Sequence, residues 1–412
     1  MAKFYGWRIV GAAFVLAFFG WGLGFYGPPV YLHAVREARG FSLGVVSSAV
    51  TVHYLAGAIV VANVPGLYRR FGLPLVTGAA AILLSAGVFG WAIAAEPWQL
   101  FAATVMSGAG WAAMGAVPVN AAVSPWFVRA RPAALGTAYN GASFAGLIFS
   151  PLWVTMIALA GFPVAAAIIG VATIVTVAAL ALRYFGRTPQ QMGLEPDGDA
   201  PGAAVSVTSP LARPLPGPAL WRDFAFITLA TCSSLSLFAQ IGLITHLYSL
   251  LVPALGTQWA GLVMGIGTGA GMGGRMLVAW LMPAGADRRL VACVSYSVQV
   301  VGTLLLIAAA GENIPLLLAG VLLFGVGIGN VTSMPPLIAQ VEFVKDDVPR
   351  VVALVVAIGQ ATYAFSPAAF GFIREFAGAG AVFAIAALIY VSAIGALLIG
   401  RYGVTKSARA YP

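Results

Sequence analysis

Arg275 stands alone as a charge in the stretch GLVMGIGTGAGMGGRMLVAWLM. A guanidinium stays protonated, and its planar fork grips a carboxylate through two parallel hydrogen bonds. Placing such a charge in an apolar helix costs roughly 3 kcal/mol, which marks Arg275 as a residue that faces a cavity and handles an anion there. The competing reading is snorkelling. Arg275 lies about seven residues from the end of its apolar run, or ~10 Å at helical rise, within a long side chain's approach to the interface. No Asp or Glu falls inside an apolar run away from its ends, which suits an anionic substrate better than a cationic one. His246, in GLITHLYSL, titrates near physiological pH. It is a candidate hydrogen-bond donor to substrate and the candidate proton carrier, or else a polar packing group. His53, beside Tyr54, has the same two readings, and His33 falls at a solvated outer end. Asn120, Asn140, Gln240, Asn330, Gln360 and Tyr363 are placed to line a cavity or to bond across a helix interface. The candidate substrate-binding set is therefore Arg275, His246, Asn120, Asn330, Tyr363, Gln360 and Asn140. Neither a catalytic constellation nor metal-ligand spacing occurs in the apolar runs, and Cys232 and Cys293 form no motif. The expectation is a protein that is not an enzyme and needs no cofactor or metal.

These residues require apolar helices to carry them. The chain has 412 residues, 61% hydrophobic and only 8% charged, where a soluble domain carries about 25% charged residues. Such an exterior is tolerated by a lipid bilayer, not by water. A spanning helix needs roughly 20 apolar residues. The runs predict spans at 8–31, 42–64, 74–95, 98–123, 133–160 and 163–183, then 222–250, 258–282, 290–310, 314–341, 350–373 and 380–401. The first run is longer than a signal-peptide core and is read as a retained helix. The fold class is thus an all-α membrane protein of twelve transmembrane helices in two six-helix bundles.

The distribution of cations gives an internal check, because cytoplasmic segments are enriched in Lys and Arg. With the N-terminus inside, only Arg36, Arg39 and Arg374 of the 21 Lys and Arg fall on the outer side, and Arg275 falls within a span. All others, from Lys3 and Arg8 through Arg213 and Lys345 to Arg409, fall on the cytoplasmic side. This predicts a multi-pass protein of the cell inner membrane with both termini cytoplasmic. The net charge of +9 forms no continuous basic stripe, so no nucleic-acid partner is expected. Residues 186–220 are polar and rich in Pro and Gly and read as a flexible linker. The domains expected are 1–185, an N-terminal bundle, and 221–412, a C-terminal one. The halves echo each other: Phe149-Ser150-Pro151 in the fifth span matches Phe365-Ser366-Pro367 in the eleventh. Gly265, Gly269 and Gly273 repeat every four residues and are expected to form a close-packing face.

Parallel halves joined by a cytoplasmic loop are the layout of major facilitator transporters. Within that superfamily, the residues Trp126, Phe127, Arg129, Arg131, Ala134, Gly136, Ala138 and Gly141 resemble the monocarboxylate-porter signature. The sequence departs from it at Ala130, where a basic residue is usual, and at Asn140, where alanine is usual. Tyr5-Gly6-Trp7-Arg8-Ile9-Val10 is similar to the start of oxalate/formate antiporters and their monocarboxylate relatives. Tyr68-Arg69-Arg70-Phe71-Gly72 resembles the general facilitator signature, with Arg69 at its aspartate position. The corresponding stretch after the eighth span, Trp280-Leu281-Met282-Pro283, also lacks the acid, which puts the usual inter-helix charge latch in doubt. The resemblance implies that Arg275 matches the span-eight arginine that binds substrate carboxylate. Oxalate carriers add a lysine in span eleven; here that span has no cation before Arg374. One central positive charge favours a monoanion.

The resulting expectation is a secondary transporter of small monocarboxylates of the lactate or pyruvate type, coupled to protons and working as a monomer by alternating access. Its partners are the carboxylate, the proton and the bilayer. The alternatives are an oxalate/formate-type anion exchanger and an efflux pump for larger amphipathic compounds.

Overall fold

The computed structural model describes residues 4–198, 218–283, 285–343 and 347–410. Within the linker expected at 186–220, residues 199–217 lie outside these, as do Lys3, Arg213 and Lys345 among the cations assigned above. The described chain is helical throughout and falls into two compact units, Met1–Val205 and Ser206–Pro412.

In the first unit, α1 (Gly6–Gly24) and α2 (Pro28–Arg39) make the first span, and α3 (Leu43–Phe71) and α4 (Leu73–Ile93) the next two. The fourth span is discontinuous: α5 (Pro97–Ala112) stops, and α6 (Ala116–Val123) resumes after Gly115. Helix α7 (Arg131–Ala160) and α8 (Phe162–Leu180) complete the bundle. Small residues set its closest approaches. A methyl on Gly141 of α7 would stand 2.1 Å from the Phe14 carbonyl of α1, and one on Gly20 would stand 2.8 Å from the Met114 carbonyl.

The second unit opens with α9 (Phe224–Leu281), a single 58-residue run. About 20 residues cross a bilayer, so α9 holds two spans, and the chain turns at Gly256 (φ 73°, ψ 167°). Helices α10 (Arg288–Ala308), α11 (Ile314–Glu342) and α12 (Val348–Tyr363) follow, then α13 (Ser366–Ala410), which turns at Gly378 (φ 82°, ψ 178°). Among the described residues, ten stretches are long and apolar enough to span. With both turns counted there are twelve spans, as the apolar runs predict. Gly72 (φ 79°) and Gly161 (φ 77°) make the same one-residue turn in the first unit. That extended, positive-φ conformation is open essentially to glycine alone. Large apolar side chains such as Leu75, Trp98, Leu159, Leu182, Trp280 and Leu388 point outward, as lipid contact requires.

Each unit is fastened on the side from which the linker leaves. In the second unit, Arg289 is buried at 1% exposure and forks onto Glu342 with contacts of 2.6 and 2.7 Å. Its remaining donors reach Thr228 Oγ1 and the carbonyls of Ala225 and Leu397. Asp287 caps α10 and binds Arg401 at 2.6 Å. A charge latch is therefore present, built from these residues and not from an acid in the signature position.

Candidate functional site

Arg275 lies on the second span of α9, half-buried against α11. The two helices approach through glycine on both sides. Methyls on Gly271 and Gly274 would stand 3.2 Å from the Gly325 carbonyl and 1.9 Å from the Val326 carbonyl. Gly267 packs in the same way under Val321, whereas Gly273 faces open space. Gly267, Gly271 and Gly274 thus form a close-packing face against α11, and Gly273 of the expected ladder Gly265, Gly269 and Gly273 does not belong to it. Gly329 of α11 makes room for the arginine, since a methyl there would stand 3.1 Å from Arg275 Nε. The next residue, Asn330, is 1% exposed, and its Nδ2 lies 3.5 Å from the carbonyl of Gly274. Its Oδ1 is buried without a hydrogen-bond partner among the described residues. Arg275 and Asn330 are therefore brought to one helix crossing.

His246 sits on the first span of α9, fully buried. Its Nε2 is 3.0 Å from the Pro367 carbonyl. A carbonyl only accepts, so Nε2 carries the proton. Nδ1 is then the basic nitrogen, and it has no hydrogen-bond partner among the described residues. Pro367 is the second residue of α13, just after the break at Ala364 and Phe365. One turn along α9, Ser249 Oγ donates to the His246 carbonyl, and Arg374 donates to both Ser249 Oγ and its carbonyl. Gln360 and Tyr363 lie one turn apart at the end of α12, both half-buried, and their side chains interact. Gln240 is buried, and its Oε1 has no hydrogen-bond partner among the described residues.

In the first unit, Asn120 is on α6, just after the break in the fourth span. Its Nδ2 reaches the Ala116 carbonyl at 2.9 Å and Tyr139 Oη at 2.5 Å, and Tyr139 in turn donates to Ala116. Asn140 is the half-buried neighbour of Tyr139 on α7. His53 is fully engaged inside its own bundle. Its Nδ1 and Nε2 lie 2.9 Å from Ser107 Oγ and the Gly24 carbonyl, and its ring stacks on Trp111. This is the geometry of a packing group. Sequence reasoning missed Tyr139, whose signal is a phenol beside Asn140 in an otherwise apolar span. It also missed the Ser249–Arg374 chain behind His246.

The sequence profile described as Major Facilitator Superfamily matches residues 9–343. No curated protein matches the sequence. Among solved structures the chain is similar to a D-xylose-proton symporter, at 14% identity and TM-score 0.72, over 96% of this chain and 97% of that one. It is similar also to the nucleoside transporter NupG, at 12% identity and TM-score 0.70, over 96% and 98% of the two chains. A bacterial homolog of the human lysosomal transporter Spinster, inward-facing and occupied, aligns at 13% identity and TM-score 0.68, over 100% and 98%.

Proposed function

The chain belongs to the major facilitator superfamily, and we propose that within it the protein carries small monocarboxylates of the lactate or pyruvate type together with a proton. Membership makes it a multi-pass secondary active transporter working by alternating access, and not an enzyme. The carboxylate reading rests on one observation: Arg275, the charge within a span, packs against α11 at Gly329, whose lack of a side chain leaves room for the guanidinium. A guanidinium held there offers a planar, two-pronged donor to a monoanion. Asn330, at the same crossing, supplies a buried acceptor beside it. His246, Gln360, Tyr363, Asn120 and Asn140 are proposed to complete the substrate-binding set, with His246 Nδ1 taking the coupled proton. The linker side of each unit is assigned to the cytoplasm of an inner membrane by its cations, and the carrier works as a monomer.

Uptake of labelled lactate and labelled oxalate into proteoliposomes, with and without an inward proton gradient, tests this reading. Lactate uptake driven by the gradient is expected. Arg275→Gln should abolish it, and Arg275→Lys, which keeps charge but loses the fork, should reduce it strongly. Wild-type lactate affinity in Arg275→Gln would overturn the substrate assignment. Oxalate exchange without response to the gradient would replace it with an anion exchanger.

A further inference from the structure

The chain after α8 does not become a linker at once. Residues 187–198 make short helical turns at Gln190–Met192 and Pro196–Gly198. Asp197 there takes φ 61°, a left-handed conformation that costs a non-glycine residue about 1–2 kcal/mol. The conformation aims its carboxylate at the loop between α6 and α7. Oδ2 accepts from the amides of Val128 at 3.1 Å and Arg129 at 2.8 Å, and Oδ1 accepts from that of Ala130 at 3.2 Å. The Arg129 guanidinium lies 3.9 Å away, and the carboxylate is only 6% exposed. Three successive amides converging on an anion form a nest, and a charged acceptor strengthens each bond.

The same spot gathers several helix ends. A methyl on Gly198 would stand 3.0 Å from the Phe4 ring, which meets Trp126 and Phe127 edge-on. Tyr5 lies against Trp126 and Tyr184, and Trp7 against Phe127. Arg131 hooks the carbonyls of Phe127 and Ser124. The starts of α1 and α7 and the ends of α6 and α8 thus meet around one carboxylate.

We infer that Asp197 is a positioning residue for transport, pinning the chain that follows α8 to the α6–α7 loop so that these four helix ends move as one body. Rocking of one bundle against the other requires each to move rigidly. The joining chain then begins after Gly198, not at the end of α8. Asp197 lies far from the Arg275 unit's polar crossing in sequence and touches none of the proposed substrate ligands. Its loss should therefore slow turnover and leave affinity alone.

Full-length Asp197→Ala and Asp197→Asn decide this by hydrogen exchange, limited proteolysis and lactate transport. In Asp197→Ala the amides of Val128, Arg129 and Ala130 should exchange at least about tenfold faster, and cleavage should appear within 187–198. The maximal rate should fall several-fold, with KM unchanged. Asn keeps one accepting oxygen and loses the charge, so Asp197→Asn should fall between; if the alanine variant does not fold, this variant carries the test. Unchanged exchange at 128–130 overturns the pin. Faster exchange with a wild-type maximal rate, or a change confined to KM, overturns the role in transport. A wild-type protein that carries no lactate counts against the substrate reading, and the exchange and cleavage results then still decide the pin.

Discussion

His246 separates two ways of moving a proton through spans that hold no carboxylate away from their ends. Its Nε2 proton is committed to Pro367, so any proton it gains goes to the buried Nδ1. If it is the carrier, His246→Gln should keep lactate exchange and lose accumulation driven by a pH gradient. Exchange needs only the loaded carrier to reorient, whereas net uptake needs a proton bound and released. Full gradient-driven accumulation in that variant would assign the proton to the substrate carboxyl instead. A second residue-scale prediction concerns Asp287. Burial raises its carboxyl, but the Arg401 bond and the amides of Leu290 and Arg289 outweigh burial and hold it below the usual carboxylate range. A depressed folded-state value stabilises above the unfolded value and is lost as pH falls through the folded one. Asp287→Asn should therefore unfold at lower temperature than wild type in detergent at about pH 7, with the difference closing as pH falls below the unfolded carboxyl's value and through the lower folded one. Arg275 was legible in the sequence because a lone charge in an apolar run is conspicuous. The Asp197 and Arg289–Glu342 fastenings were not, because their partners are backbone amides or lie 53 residues apart.

At the scale of elements, the apolar runs located every span, and the turns at Gly72, Gly161, Gly256 and Gly378 fall between them. Gly161 and Gly378 occupy matching places in the two halves, before the sixth and twelfth spans. Nothing crowds a methyl at either, so the cost of alanine there is conformational, of order 1–3 kcal/mol. The shared Phe-Ser-Pro motif packs differently in the two halves. Phe149 is buried under Gly22 of α1, whereas Phe365 is exposed and Phe370, outside the motif, lies under Gly242 of α9. The fifth span runs unbroken through Pro151, while the eleventh breaks just before Ser366, a difference that the motif itself does not encode. Gly273 falls off the glycine face of α9 for a geometrical reason. Steps of four residues drift around a helix of 3.6 residues per turn, whereas steps of four and three stay on one face. Gly267, Gly271 and Gly274 keep that face. Neighbouring substitutions test it: Gly274→Ala should cost about 1–3 kcal/mol by overpacking, and Gly273→Ala should be close to neutral. Thermal unfolding of the two variants in detergent measures the difference, and equal midpoints would contradict the crossing.

For the whole molecule, the proposed orientation rests on the cations. Lys and Arg resist transfer across the membrane, and only Arg36, Arg39 and Arg374 fall on the side opposite the linker. Arg374 is partly accounted for by its bonds to Ser249, which weakens the case for reading it as a topological exception. The two native cysteines, Cys232 and Cys293, are buried, so an impermeant thiol reagent has little background on intact cells. A single cysteine at Ser206, in the chain joining the bundles, should stay unlabelled until the cells are opened. One at Glu312, between the ninth and tenth spans, should label from outside at once. Because successive spans alternate, the two sites must lie on opposite faces if the count between them is right: three spans, two in α9 and one in α10, separate position 206 from position 312. Labelling of both sites from outside would contradict that count, and labelling of Ser206 alone would invert the orientation while leaving the twelve spans in place.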